Sequence, residues 1–293
     1  MDVAPKVQNA RLGILLLCAG VASFGVGEAC VKILAADYHI LQVVWARYVF
    51  HALVFLIIFS RSGILNQMRT SRPILHIARS ITLLLGTITF FTALIYLSLP
   101  DAVAINFAAP LLVTALSIPF LGEKVGPRRW VAIFIGFLGV LIIIRPGLGI
   151  MHWAALLPLA TAVFYALYQI LTRVAGRTED TKTSLFWTST VGVITMSCIV
   201  PLVWKVPNAQ AWAIMIATGA LFGFGHYLLI RAFEVATVST LSPFLYTQIV
   251  WVTILSIIIF NQVPDEFSIL GTVIVISSGL YIWHRETQER PTT

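Results

Sequence analysis

Residues 80–100 read SITLLLGTITFFTALIYLSLP and residues 102–122 read AVAINFAAPLLVTALSIPFLG, so only Asp101 interrupts two long uncharged stretches. A membrane-crossing helix takes about 20 predominantly apolar residues. Neither stretch alternates apolar and polar residues as a strand of a membrane barrel does. Each therefore reads as one transmembrane helix, with Ser98 to Asp101 as the turn between them. Working outward, further runs of spanning length complete a set of ten, at 12–35, 41–59, 75–97, 102–121, 129–145, 153–172, 183–203, 210–230, 239–260 and 267–284. Ten such helices use most of the 293 residues, leaving short loops and no room for a separate soluble domain.

Composition agrees. The chain is 59% apolar and 11% charged, against roughly 45–50% and about 25% in soluble proteins, and its mean hydropathy is +0.93. A soluble enzyme, a secreted disulfide scaffold and a nucleic-acid binder are excluded. Cys18, Cys30 and Cys198 all fall in apolar stretches and offer neither a disulfide framework nor metal-ligand spacing. The basic flank of the first span resembles a signal peptide, but its apolar part is too long and holds Glu28 and Lys32, so it reads as a retained helix. No Walker A loop, His-Glu-x-x-His run or Gly-x-Ser-x-Gly elbow occurs, and no catalytic residue, metal or cofactor is expected.

The net charge of +7 is a topology signal. With the N-terminus placed in the cytoplasm, 15 of the 19 basic residues fall on that side: Lys6, Arg11, Arg61, Arg69, Arg72, Arg79, Lys124, Arg128, Arg129, Arg173, Arg177, Lys182, Arg231, Arg285 and Arg290. Only Arg145 and Lys205 fall outside, while Asp37, Asp101, Asp265 and Glu266 line the opposite loops. By the positive-inside rule, both termini are expected in the cytoplasm and the chain in a plasma (inner) membrane, with lipid and a small molecule as its partners and no nucleic acid.

The chain also matches itself. Gly25–Lys32 lies over Ala166–Arg173, setting Glu28 opposite Gln169 and Lys32 opposite Arg173, and Gln42–Trp45 lies over Ser184–Trp187. Five spans per half is an odd number, so the second half is expected to enter the membrane inverted. Inverted repeats typify secondary transporters that alternate access around a midplane site; a symmetric scaffold such as a channel remains the alternative.

Three segments resemble the drug/metabolite transporter superfamily in its group of paired EamA-type repeats: Tyr96–Pro110 followed by Phe120–Val125, Gly136–Gly147, and Trp45–Tyr48. Asn261–Gln262 departs from the pattern, standing where a Gly-Glu pair is common. The resemblance implies an all-α membrane protein, with a first repeat at 12–145 and a second, inverted one at 153–284 around a central cavity. It implies outward transport of small metabolites, most often amino acids, and length and aromatic content are similar to the bacterial aromatic amino-acid exporters. Another metabolite or drug-like compound, an intramembrane enzyme, or a channel are the alternatives.

Charges at membrane depth cost about 2.5–3.5 kcal/mol on insertion scales, so they are paired or functional. Glu28 and Lys32 stand one turn apart and Arg47 lies at similar depth, which predicts one ionic cluster serving either as a gate or as a structural clamp. His51 and His226 are candidate proton relays. Asn106, Tyr165, Tyr168, Gln169, Tyr246, Gln248, Trp45 and Trp187 are the candidate cavity lining, since aromatics and amides suit a small amphipathic solute; interfacial belts draw on the same residue types. Gly219 and Gly223 form a Gly-x-x-x-Gly pattern that permits close helix approach.

Overall fold

The computed structural model describes residues 9–59, 70–121, 126–145, 153–176, 178–179 and 181–288. Glu123, with the motif around it, and the basic residues Lys6, Arg61, Arg69, Lys124, Arg177 and Arg290 lie outside these. The described residues hold no strand, and their long helices are α1 (Ala10–Leu34), α2 (Ile40–Phe59), α3 (Pro73–Tyr96), α4 (Leu99–Asn106), α5 (Ala109–Leu121), α6 (Pro127–Ile144), α7 (Leu156–Ala175), α8 (Thr181–Ile199), α9 (Ala209–Val235), α10 (Thr247–Phe260) and α11 (Glu266–Gln288). Ten stretches are long and apolar enough to cross a membrane; α4 and α5 together make the fourth span, and a 3-10 turn at Ser242–Tyr246 precedes α10 in the ninth.

Helix starts follow ordinary capping chemistry. Asn9 accepts from the Leu12 N–H at 3.0 Å and Asn208 accepts from the Ala211 N–H at 2.8 Å. Ser98 accepts from the Asp101 N–H at 3.2 Å and donates to its carboxylate at 2.6 Å. Each satisfies an orphan group of a first turn. Proline opens α3, α4 and α6, where its missing N–H costs nothing.

Packing between the halves comes in matched pairs. α1 lies along α9 as α3 lies along α7; α2 meets α9 as α3 meets α8; α1 meets α10 as α7 meets α4 and α5. The pairs α2 with α8, α4 with α10 and α6 with α11 are their own counterparts. Exchanging the first five spans for the last five leaves this pattern unchanged. The pair of α6 and α11 runs antiparallel in one register: Arg145 bonds Asp265 at one end, Gly139 meets Gly271, and Ser278 donates to the Ala132 carbonyl towards the other. A Cβ on Gly271 would lie 2.6 Å from the Gly139 carbonyl oxygen, so glycine is what permits this approach. Gly219 and Gly223 are used within the chain, since a Cβ on either would meet Phe50 or Val54 of α2 at 2.3–3.0 Å.

Candidate functional site

Two spans are interrupted. The fourth stops at Asn106 and resumes at Ala109, ahead of Pro110; the ninth passes through the Ser242–Tyr246 turn, which contains Pro243, before α10 begins. Proline cannot continue the hydrogen-bond ladder, having no N–H to give the carbonyl one turn back. The interruptions face each other: α4 packs on α10, and the ring centroids of Phe107 and Tyr246 lie 5.0 Å apart, edge to face. Broken helices meeting inside a membrane bundle supply the polar backbone and side chains of transport sites.

Gln248, in the first turn of α10, donates from Nε2 to Oε1 of Glu28 on α1 at 2.8 Å. Glu28 is 5% exposed, and its Oε2 has no partner among the described residues. Arg47 on α2 is equally buried. Its guanidinium lies 4.6 Å from the Phe222 ring centroid, 4.8 Å from Tyr48 and 5.9 Å from Phe91, with a long bond to Thr87 Oγ1 at 3.4 Å. The charges of Glu28 and Arg47 act on one another, yet among the described residues they form no ion pair. Burying two opposite charges without direct contact is expensive.

His51 and His226 meet nearby, their rings stacked at 5.1 Å, and Phe24 lies 4.9 Å from His226. His226 Nδ1 sits 2.7 Å from the Phe222 carbonyl; a carbonyl only accepts, so this nitrogen carries the proton. His51 Nδ1 has no partner among the described residues. Tyr165 is 39% exposed and His226 half-buried. Tyr165 stacks on Tyr168 at 5.9 Å, and Gln169 is half-buried on the same helix. Asn106 Oδ1 is buried at the break of the fourth span with no partner among the described residues.

Several expectations are corrected. Lys32 leaves the ionic cluster: its ammonium donates to the carbonyls of Leu94 at 2.9 Å and Leu97 at 2.5 Å and lies over Phe260. Unsatisfied carbonyls at the end of α3 compete successfully with Glu28 for its protons. Trp45 does not join the central residues; it donates to Ser197 Oγ at 3.1 Å and stands edge-on to Trp204 at 5.3 Å, within an aromatic group at one end of the bundle. Tyr246 points its hydroxyl at Gly279 of α11, so its ring, not its polar end, borders the break.

The largest correction concerns Arg79, expected as a loop-side topology marker. It is 1% exposed. Its guanidinium donates to Tyr168 Oη at 3.3 Å, Thr172 Oγ1 at 3.2 Å and Thr188 Oγ1 at 2.6 Å, and also to the Ser184 carbonyl. One side chain thus ties α3 to α7 and α8, across the two halves. His76, one turn away and fully buried, stacks on Trp187 at 5.9 Å, which assigns Trp187 to this second group. A basic residue near the start of a span looks the same in sequence whether it faces water or a partner helix; the Thr172, Ser184 and Thr188 hydroxyl-bearing positions opposite were the available signal.

Paired clamps close the ends. The Glu179 carboxylate accepts from Thr70 Oγ1, Ser71 N and Ser71 Oγ at 2.9–3.2 Å just before α3. Burial works against its ionisation, but these hydrogen bonds outweigh it and hold the carboxyl below its ordinary range. The counterpart before α9 joins Tyr38 Oη to the Asn208 N–H at 3.3 Å, Gln42 to the Lys205 backbone at 2.8 and 3.0 Å, and Lys205 Nζ to the Asp37 carbonyl at 2.8 Å.

The sequence matches the EamA-like transporter family twice, over residues 11–145 and 152–283. It is 25% identical over 274 residues to an S-adenosylmethionine uptake transporter of Rickettsia prowazekii, covering 94% of this chain and 93% of that one. It is 27% identical over 246 residues to a riboflavin transporter of Vibrio cholerae, covering 83% and 82%. A pseudopaline exporter of Pseudomonas aeruginosa is 25% identical over 271 residues, covering 91% and 94%.

Proposed function

The chain belongs to the EamA-like transporter family, and from that premise we propose that it carries a small metabolite with an amino-acid head group, by alternating access between two inverted halves. The observation that carries this reading is that two buried opposite charges form no ion pair among the described residues: Glu28 has one oxygen bound by Gln248 and the other unpartnered, and Arg47 meets aromatic faces and one hydroxyl at long range. A zwitterion places its ammonium at Glu28 and its carboxylate at Arg47. Phe24, Phe91, Phe107 and Phe222 then offer stacking surface to an apolar or aromatic remainder. S-adenosylmethionine carries such a head group on a flat heterocycle, which fits the names of the Rickettsia relatives.

In this reading Arg79 is the latch that closes one mouth, because its bonds join α3 to α7 and α8 and must separate for that mouth to open. Both termini lie in the cytoplasm of a bacterial cell bounded by this inner membrane, and transport runs outward. Uptake is the second reading, favoured by the printed function of the Rickettsia proteins.

The test is counterflow in liposomes with labelled phenylalanine, S-adenosylmethionine and riboflavin. Saturable exchange of a solute with an amino-acid head supports the proposal. Exchange of riboflavin alone overturns the head-group assignment, non-saturable flux supports a channel, and conversion of solute to product supports an enzyme. Comparing inside-out with right-side-out vesicles under a solute gradient decides direction.

A further inference from the structure

The antiparallel pair of α6 and α11 packs closely at one end and carries an outward-facing groove towards the other. Gly139 and Gly271 bring the backbones together, and Arg145 pairs with Asp265 beyond them. In the opposite direction the pair carries a groove of about 460 Å³ lined by Arg128, Val131, Ile135, Val273, Ser277 and Tyr281 among others. Ser278, bonded to the Ala132 carbonyl, is part of its floor. This volume lies within the roughly 300–1,000 Å³ of small-ligand sites.

The groove faces out of the bundle. Val131 is 58% and Val273 55% exposed, and both belong to membrane-crossing helices, so hydrocarbon is their surrounding medium. Arg128 is exposed at the rim, in the first turn of α6, and forms no ion pair or hydrogen bond among the described residues. The arginine at the other end of the pair is neutralised by Asp265; Arg128 has no such partner among the described residues. A slot that is apolar along its length and ends in an exposed cation at the membrane surface matches an amphiphile with an acyl chain and an anionic head. A helix, about 10 Å across, would cover this slot without filling it.

We infer that the groove between α6 and α11 binds an anionic phospholipid, with an acyl chain lying along Val131, Ile135 and Val273 and the phosphate at Arg128. Tyr281 and Ser277 offer hydroxyls to the glycerol region. The site lies outside the central polar residues, so it is independent of what the protein carries.

The test uses the full chain purified in mild detergent and offered equal amounts of phosphatidylglycerol and phosphatidylcholine with the same acyl chains, bound lipid being read by native mass spectrometry. Retention of phosphatidylglycerol is expected to exceed that of phosphatidylcholine about fivefold, the factor corresponding to about 1 kcal/mol for one basic residue at the membrane surface. Arg128→Gln is expected to bring the two to parity and Arg128→Lys to keep the preference. Ile135→Trp fills the slot and is expected to lower retention of both lipids. Equal retention by the unaltered chain, persistence of the preference in Arg128→Gln, or a second copy of the chain occupying this face in place of lipid would overturn the inference. Arg128 and Ile135 are both exposed, so neither variant removes a contact within the fold.

Discussion

Gln248 and Glu28 are joined by a hydrogen bond of 2.8 Å that links the interrupted ninth span to the first helix. It crosses from one half of the chain to the other and leaves the second carboxylate oxygen unpartnered. Glu28→Gln keeps the shape and removes the charge. Since hydrogen bonds to charged groups contribute about 1.5–3 kcal/mol, exchange is expected to fall about 10- to 100-fold while the protein elutes normally on gel filtration. Unchanged exchange would remove Glu28 from the site.

Arg79→Ala leaves three hydroxyls and the Ser184 carbonyl without their donor. Leaving a buried polar group unsatisfied costs about 1–3 kcal/mol, so the melting temperature in detergent is expected to drop. Arg79→Lys is expected to recover little of it, because an ammonium lacks the planar fork that reaches four acceptors. If Arg79 is a latch, a cysteine at Thr172 reacts faster with a water-soluble thiol reagent in the Arg79→Lys background than in the parent.

Asp265 gives a pH prediction. The hydrogen bond from Arg145 holds its carboxyl down at about 2, with the Ser268 N–H assisting against modest burial. A depressed carboxylate stabilises the fold fully above its ordinary range near pH 3.9 and loses that contribution as pH falls through about 2. The Asp265 side chain is 53% exposed, so solvent screening limits the pair to about 1 kcal/mol or less. Asp265→Asn is expected to lower the unfolding midpoint at pH 5–7 and to converge with the parent near pH 2. A constant gap across that range would contradict the assignment.

Gly271→Leu tests the closed end of the helix pair. Even a Cβ meets backbone at 2.6 Å, and overpacking typically costs about 1–3 kcal/mol. A lower melting temperature with exchange retained in the surviving fraction is expected, because α6 and α11 stand apart from the central polar residues.

Orientation is checked by single cysteines placed at Ser71 and at Asp265, in a background with Cys18, Cys30 and Cys198 replaced. An impermeant reagent applied to intact cells is expected to label the second and not the first.

The ten spans were legible because about 20 apolar residues between charged turns admit little else in a membrane, and their observed limits fall within a few residues of those read from hydropathy. The interruption of the fourth and ninth spans was not legible. Pro110 and Pro243 were visible, but proline occurs in continuous membrane helices as well, and only the facing of Phe107 and Tyr246 gives these two a shared meaning. Lys32 and Arg79 were misjudged for one reason. Hydropathy reports depth along a helix and is blind to azimuth, so it could not tell that Lys32 turns to the end of α3 or that Arg79 turns inward to α7 and α8.

The matched packing has a consequence for how such a polypeptide can assemble. Each half sends its longest contacts into the other: α1 rests on α9, and α3 on α7. A half-length chain would therefore present these surfaces without their complement. Joining the two halves in one chain raises the effective concentration of each for the other.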